Sequence, residues 1–287
     1  MNKTVVVTSI FGRQQAAIAS EFYQRGWVVR GTAREAKAHP FADVRTTELA
    51  PGSSLTDAFR RADVVAYSLV QDHRPGVMVD TARSVAEAAA QAGVAHIVFN
   101  LAGTIDEGSD HSPSHEMRAA RAAIQNGKVP STVFQPTVYM DNIVEPWSLP
   151  SIVGGAFAYP APESAPVSWL SHRSLAAYVV AAAESKEAVG KEYRIGGPEA
   201  VTGTQIAEIL SDHLGIQVVY HRLPLDIMAA GLNDSMGSPA GDRIATLYAR
   251  LDREPTFMDL GVTTGKVLGV TPESFADFVA RQDWQAL

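Results

Sequence analysis

The stretch Thr8-Ser9-Ile10-Phe11-Gly12-Arg13-Gln14-Gln15 stands between a β-branched run and an amphipathic one. A strand that ends in a turn and opens into a helix offers the helix's first amides and the positive end of its dipole, which suits a phosphate. In a G-x-x-G-x-x-G register only Gly12 is a glycine, while Ser9 and Gln15 hold the outer positions. An ordinary strand-to-helix turn is therefore the competing reading. The next apolar run, Val28-Val29-Arg30-Gly31-Thr32-Ala33-Arg34, has no carboxylate at its tip to hold a ribose hydroxyl, and Arg34 can take a 2′-phosphate. This combination points to NADP(H) rather than NAD, with Arg34 and Lys37 as plain surface charges being the alternative. The expected cofactor contacts are Ser9, Phe11, Gly12, Arg13, Gln14 and Gln15 at the pyrophosphate, Arg34 at the 2′-phosphate, and Ser68 and Pro136 at strand ends.

Other chemistry is thinly supported. Asp106, Glu107, Asp110, His111, His115 and Glu116 lack a recognised metal-ligand spacing and read as a polar loop, so no metal is expected. Gly261-Val262-Thr263-Thr264-Gly265-Lys266 is one residue short of a P-loop, and no G-x-S-x-G elbow occurs. The chain has no cysteine, which excludes thiolate catalysis and disulfides. A net charge of −7 without a Lys/Arg run argues against nucleic acid as a partner.

The elements that must position these residues follow from periodicity. Short β-branched runs alternate with helical patterns through the first half, the mark of βαβ units around a parallel sheet. Strands are expected at Thr4–Thr8, Trp27–Thr32, Asp63–Leu69, Val94–Leu101 and Thr132–Gln135, the last stopped by Pro136. Helices are expected over Gly12–Arg25, with Ile18, Ala19 and Phe22 inward, over Leu55–Arg61, along the stripe Met78, Ala82, Val85 and Ala89 ended by Gly93, and over Ser114–Gln125. Thr137–Pro166 reads as a long irregular segment of the kind that forms lids and binding walls. Beyond it come helices near His172–Ser185, Thr202–Leu214 and Arg243–Arg250, and strands at Glu192–Ile195 and Val218–His221. The fold class is thus α/β, a Rossmann-type doubly wound parallel sheet with a small C-terminal α+β lobe. Residues 1–136 form the dinucleotide-binding core, and 137–287 the substrate-side lobe with returning elements of the core. Val5-Val6-Val7 is too short for a membrane span or a signal segment, so a cytoplasmic protein away from membranes is expected.

Several of these segments resemble the NmrA-like family of atypical short-chain dehydrogenases/reductases. That family opens with a strand, T-G-A-T-G-x-x-G, a helix and a second strand ending V-R-x-x-x-R. Thr8-Ser9-Ile10-Phe11-Gly12 and Val29-Arg30-Gly31-Thr32-Ala33-Arg34 occupy those places. The similarity continues at Ala92–Val98, Val133–Asn142 and Gly190–Pro198. The resemblance implies a Rossmann core and a C-terminal lobe, with nicotinamide and substrate in the cleft between them. It also implies one of two roles: an NADPH-dependent reductase of quinones, dyes or similar conjugated acceptors, or a cofactor-sensing regulator that does no chemistry. A non-redox enzyme reusing the cleft is a third reading. Possible partners are a small-molecule substrate, a regulatory protein or a second copy of the chain.

The wider superfamily resembled here uses Tyr-x-x-x-Lys, in which the ammonium eases proton release from the phenol. No tyrosine of this chain has Lys four residues on, and no lysine occurs between Lys37 and Lys128. Arg118 and Arg121 stand where relatives often keep a lysine, but a guanidinium cannot give up a proton near neutrality. The candidate catalytic residues are His115, Tyr139 and Asn100. His115 has the right chemistry for a donor, or is a solvated helix-start histidine. Tyr139 could stack on nicotinamide or substrate, or pack in a core. Asn100 ends a strand where relatives often carry Ser or Thr. Trp147, Phe157, Tyr159 and Trp169 could line an apolar pocket, a core or a subunit contact.

Overall fold

A computed structural model describes residues 2–52, 54–70, 72, 74–108, 112–260 and 268–284. Its strands are β1 (Thr4–Val7), β2 (Val28–Ala33), β3 (Asp43–Thr46), β4 (Val64–Ser68), β5 (His96–Asn100), β6 (Ser131–Pro136), β7 (Ala156–Tyr159), β8 (Glu192–Ile195) and β9 (Val219–Arg222). Its helices are α1 (Arg13–Gln24), α2 (Leu55–Phe59), α3 (Val77–Ala92), α4 (Ser112–Gln125), α5 (Leu149–Val153), α6 (His172–Glu184), α7 (Gly203–Leu214), α8 (Leu225–Met236), α9 (Ala240–Arg253) and α10 (Phe275–Ala280). The described chain falls into two compact units. Met1–Pro136 and His172–Ile195 supply most of the first, so α6 and β8 pack in it although they come later in the chain.

The first unit is a seven-stranded parallel sheet in the order β3-β2-β1-β4-β5-β6-β8 with helices around it, a Rossmann-like α/β fold. Strand order reverses beside β1, and in sheets wound this way the crevice for a ligand opens at the carboxyl ends of the strands there. Val5, Val6 and Val7 are fully buried because a parallel sheet covered on both faces has no solvent side. The α1 residues Ile18, Ala19 and Phe22 and the α3 stripe Met78, Ala82, Val85 and Ala89 are all buried, as their spacing predicts. Each large apolar side chain so buried is worth ~1.5–3 kcal/mol. An exposed pair such as Arg83 with Asp80 is worth ~0.5 kcal/mol at most, so packing rather than surface charge fixes where α1 and α3 sit.

The second unit is built around Phe157, Tyr159, Trp169, Leu210, Phe275 and Phe278, with the parallel pair β7–β9 at its side. A capping box of Thr202 and Gln205 starts α7. Asn233 near the end of α8 accepts from the Gly241 amide and donates to Asp242, tying α8 to the start of α9.

Three regions depart from the expectation. β3 was not expected because an edge strand with exposed Asp43, Arg45 and Thr46 shows no apolar alternation. Thr137–Pro166 is not irregular throughout: it holds a 3-10 turn at Met140–Val144, then α5 and β7. These pieces are four or five residues long, below what periodicity resolves, and β7 exists by pairing with β9 more than sixty residues on. Neither α8 nor α10 had an expected counterpart, and α9 begins at Ala240 rather than Arg243. No helix among the described residues is long and apolar enough to cross a membrane.

Candidate functional site

Between β1 and α1 the chain makes one tight turn. The Gly12 amide donates to the Ser9 carbonyl (2.9 Å), and the Gly12 carbonyl accepts from the Ala16 amide (2.7 Å) as the N-cap of α1. Ser9 has φ 51°, the left-handed conformation that favours glycine, so the backbone keeps the shape of the motif's first glycine although the residue is serine. The turn is stitched to the neighbouring strand: the Ser9 amide donates to Thr32 Oγ1 (3.1 Å) and the Ile10 amide to the Thr32 carbonyl (3.0 Å). Gly31 on β2 makes this possible, since a Cβ there would lie 2.6 Å from Ile10, whose side chain is fully buried against it.

Gly12 caps α1 without a side chain, and the first turn of α1 contains no acidic residue. The positive end of the α1 dipole therefore meets no protein carboxylate of its own turn. A basic rim flanks it. Arg13 is exposed at the first helical position, and Arg34 is exposed just past the end of β2. Lys37 Nζ stands 5.0 Å from the Phe11 ring, and His39 lies 5.7 Å from the same ring and 4.5 Å from Phe41, which stacks on Tyr23 at 4.4 Å. This aromatic ladder folds the segment after β2 back onto the first turn. Burial pushes the His39 imidazole below its usual range. A helix start without a side-chain cap, a glycine at the N-cap, no carboxylate in the first turn and the basic side chains nearby fit a dinucleotide phosphate.

The register of β4 and β5 places Ser68 beside Asn100, each the last residue of its strand. Asn100 Nδ2 donates to Ser68 Oγ (3.2 Å) and to Gln14 Oε1 (3.0 Å), and Asn100 Oδ1 accepts from the Ala102 amide (3.0 Å). Two strand ends and the first turn of α1 are thus joined through one side chain that is only 1% exposed. The structure brings together Gln14, Ser68 and Asn100 in this way. Pro136 closes β6 in the same sheet, and its carbonyl accepts from Thr104 Oγ1 (2.8 Å). Thr32 and His39 were not expected as parts of the site. Their roles depend on contacts across the sheet or along an aperiodic loop, which local spacing does not signal.

The other candidate residues lie on other elements. His115 is exposed on α4 and is not among the residues that Asn100 joins. Tyr139 belongs to the second unit, where it is buried and bridges to Leu170. Arg121 is held by Glu107 (2.5 Å) and Glu192 (2.9 Å), and Gln135 also donates to Glu192, while Arg118 donates to the Asp106 carbonyl (2.8 Å). Both arginines of α4 are thus engaged by the protein itself.

Four other buried phenols offer no substitute. Burial pushes Tyr67, Tyr159 and Tyr178 above their ordinary range and Tyr248 up to about 12, so each holds its proton firmly near neutrality. Of the aromatics proposed for a pocket, Phe157, Tyr159 and Trp169 are core residues, with Tyr159 and Trp169 4.7 Å apart. The void they border, about 10 Å³, has room for a water at most, while Trp147 is 60% exposed. Asp110, His111 and Gly261–Lys266 lie outside the described residues.

Comparison with known proteins agrees with this architecture. A (4-alkanoyl-5-oxo-2,5-dihydrofuran-3-yl)methyl phosphate reductase of Streptomyces griseus subsp. griseus is 28% identical over 159 residues, 55% of this chain and 56% of that protein. The match thus spans little more than half of that relative's length. An NAD(P)H azoreductase of Xenophilus azovorans is 29% identical over 201 residues, 67% of this chain and 66% of that one. The structure of an NADPH-dependent quinone oxidoreductase of Escherichia coli, complexed with NADPH, is 21% identical, covers 96% of this chain and 98% of its own, and superposes with a TM-score of 0.78. The model of the NmrA-like family matches residues 1–267, and the chain belongs to that family.

Proposed function

We propose that this protein is an NADPH-dependent reductase of a conjugated or aromatic small molecule, such as a quinone or an azo compound. The observation that carries the reading is the first turn: an α1 start with no side-chain cap and no carboxylate in its first turn, a glycine at its N-cap, and Arg34 just past the end of β2. The NADPH-bound quinone oxidoreductase and the NAD(P)H azoreductase among the relatives support it. Bound NADPH supplies the hydride. The backbone of Ser9, Phe11, Gly12, Arg13, Gln14 and Gln15 would hold the pyrophosphate. Arg34 would hold the 2′-phosphate, and Ser68 and Pro136 the strand-end side of the cofactor.

The available side chains favour acceptors that need no strong acid. Hydride added to a quinone leaves a phenolate-type anion, which takes its proton from water, so Tyr-x-x-x-Lys is dispensable for such a substrate. A simple ketone would leave a far more basic alkoxide that needs a donor at once. Asn100 uses its amide on Gln14, Ser68 and Ala102, and we assign it to positioning α1 rather than to proton transfer. His115 and Tyr139 stay as candidate donors for the protonation step.

The same shortage of donors favours a second reading, a dinucleotide sensor that binds a protein partner and does no chemistry. Calorimetric titration with NADPH, NADP and NADH tests both readings, since each requires binding. If NADPH binds, a panel of quinones and azo dyes followed at the nicotinamide absorbance separates them. Turnover establishes the reductase; tight binding without turnover of any acceptor favours the sensor.

A further inference from the structure

In dinucleotide-binding turns the second glycine of the motif lets the backbone approach the pyrophosphate, and the third lets the helix pack closely on the strand. Here the third position is Gln15, which is half-buried at the start of α1. Its side chain turns back along the helix over the second glycine. A Cβ placed on Gly12 would lie 2.6 Å from Gln15 Oε1 and 3.5 Å from Gln15 Cδ, whereas the nearest backbone atom, the Ser9 carbonyl oxygen, is at 3.4 Å. The volume that the missing side chain of Gly12 vacates is therefore filled by the amide of Gln15. With this assignment of the amide, the atom over the cradle is a carbonyl oxygen, which repels an anion.

We propose that Gln15 is a cover on the phosphate cradle that must swing off Gly12 before a dinucleotide can bind, and that it thereby sets the protein's affinity for NADP(H). The proposal rests on the NADP(H)-binding reading given above. Three features make the movement feasible. Gln15 is not buried against the sheet, the contact involves the far end of a three-torsion side chain, and Gly12 itself is in ordinary extended conformation at φ −68°, ψ 146°. Moving the cover needs no change of backbone. It costs only the contacts that one long side chain makes at the turn.

The test is calorimetric titration of wild-type and Gln15→Ala protein with NADPH, alongside thermal melts of both free proteins. Removing the cover should lower the NADPH Kd by about fivefold, or ~1 kcal/mol. Adenosine 2′-monophosphate, which carries the 2′-phosphate but no pyrophosphate, should bind both proteins equally. Gln15→Glu, which sets a carboxylate on the cradle, should weaken NADPH more than tenfold and leave the mononucleotide unchanged. Equal or weaker NADPH binding by Gln15→Ala, in a protein that melts like wild type, overturns the cover. A wild type that fails to bind while Gln15→Ala binds supports it strongly. Failure of all three proteins to bind NADPH overturns the cofactor reading and this inference together.

Discussion

Gly12→Ala separates what the fold needs at the first turn from what a phosphate needs there. Gly12 has φ −68°, a conformation open to any residue, so no backbone strain follows. The new methyl would lie 2.6 Å from Gln15 Oε1, a flexible side-chain end, and 3.4 Å from the Ser9 carbonyl oxygen. A rotation of Gln15 relieves the first contact, and the second needs a shift of a few tenths of an ångström at most. Alanine is a poorer N-cap than glycine by a fraction of a kcal/mol, while it restricts the unfolded chain by ~0.4–1 kcal/mol in the opposite direction. The net change in stability should stay within ~1 kcal/mol, or about 2–4 °C in Tm for a chain of this size. Binding should suffer far more, because the methyl itself stands where the pyrophosphate approaches and, unlike the amide of Gln15, cannot swing aside. NADPH affinity measured by calorimetry should fall at least tenfold, that is by ~1.4 kcal/mol or more. A Gly12→Ala protein with wild-type NADPH affinity would refute the placement of the phosphate; a large loss of Tm would refute the claim that the glycine serves binding rather than folding.

Arg34→Ala should weaken NADPH without weakening NADH, read as a change in the ratio of their calorimetric Kd values; an unchanged ratio removes Arg34 from the 2′-phosphate. Asn100→Ala leaves the Ala102 amide, Ser68 Oγ and Gln14 Oε1 without this partner and should cost ~2–4 kcal/mol in urea unfolding. A loss under ~1 kcal/mol would mean that the network does not hold α1. Burial holds the His96 imidazole down to about 4, and its Nε2 sits 3.0 Å from Thr132 Oγ1, whose hydroxyl donates to the Ala188 carbonyl, so the ring is neutral with its proton on Nε2. The unfolded chain takes up a proton at this residue below about pH 6.5 and the folded one only near 4. Stability should therefore decline as pH falls through that window, by up to ~3 kcal/mol, and His96→Gln should flatten the decline. Equal pH slopes in both proteins would assign the effect elsewhere.

The fold was largely legible because burial writes a local record. Val5–Val7, the Ile18, Ala19, Phe22 face and the Met78–Ala89 stripe repeat at the period of their own element, whatever they pack against. β3, β7 and α8 left no such record: an edge strand is polar, a four-residue strand has no period, and α8 is largely exposed. The aromatic residues around Thr137–Pro166 shared the composition of a pocket, and only three-dimensional packing made Phe157, Tyr159 and Trp169 a core.

For the first turn, the sequence by itself determined that a strand, one glycine and a helix follow one another, that Arg34 lies past the next strand, and that no Tyr-x-x-x-Lys exists. The tertiary structure decided the rest. Thr32 fixes Ser9 and Ile10 from the neighbouring strand, Asn100 reaches Gln14 across 86 residues of chain, and Gln15 lies over the glycine that the motif keeps bare. Apolar periodicity is set within an element and can be read along the chain. Polar contacts at the ends of neighbouring strands depend on which strands the sheet puts side by side, and only the folded chain specifies that.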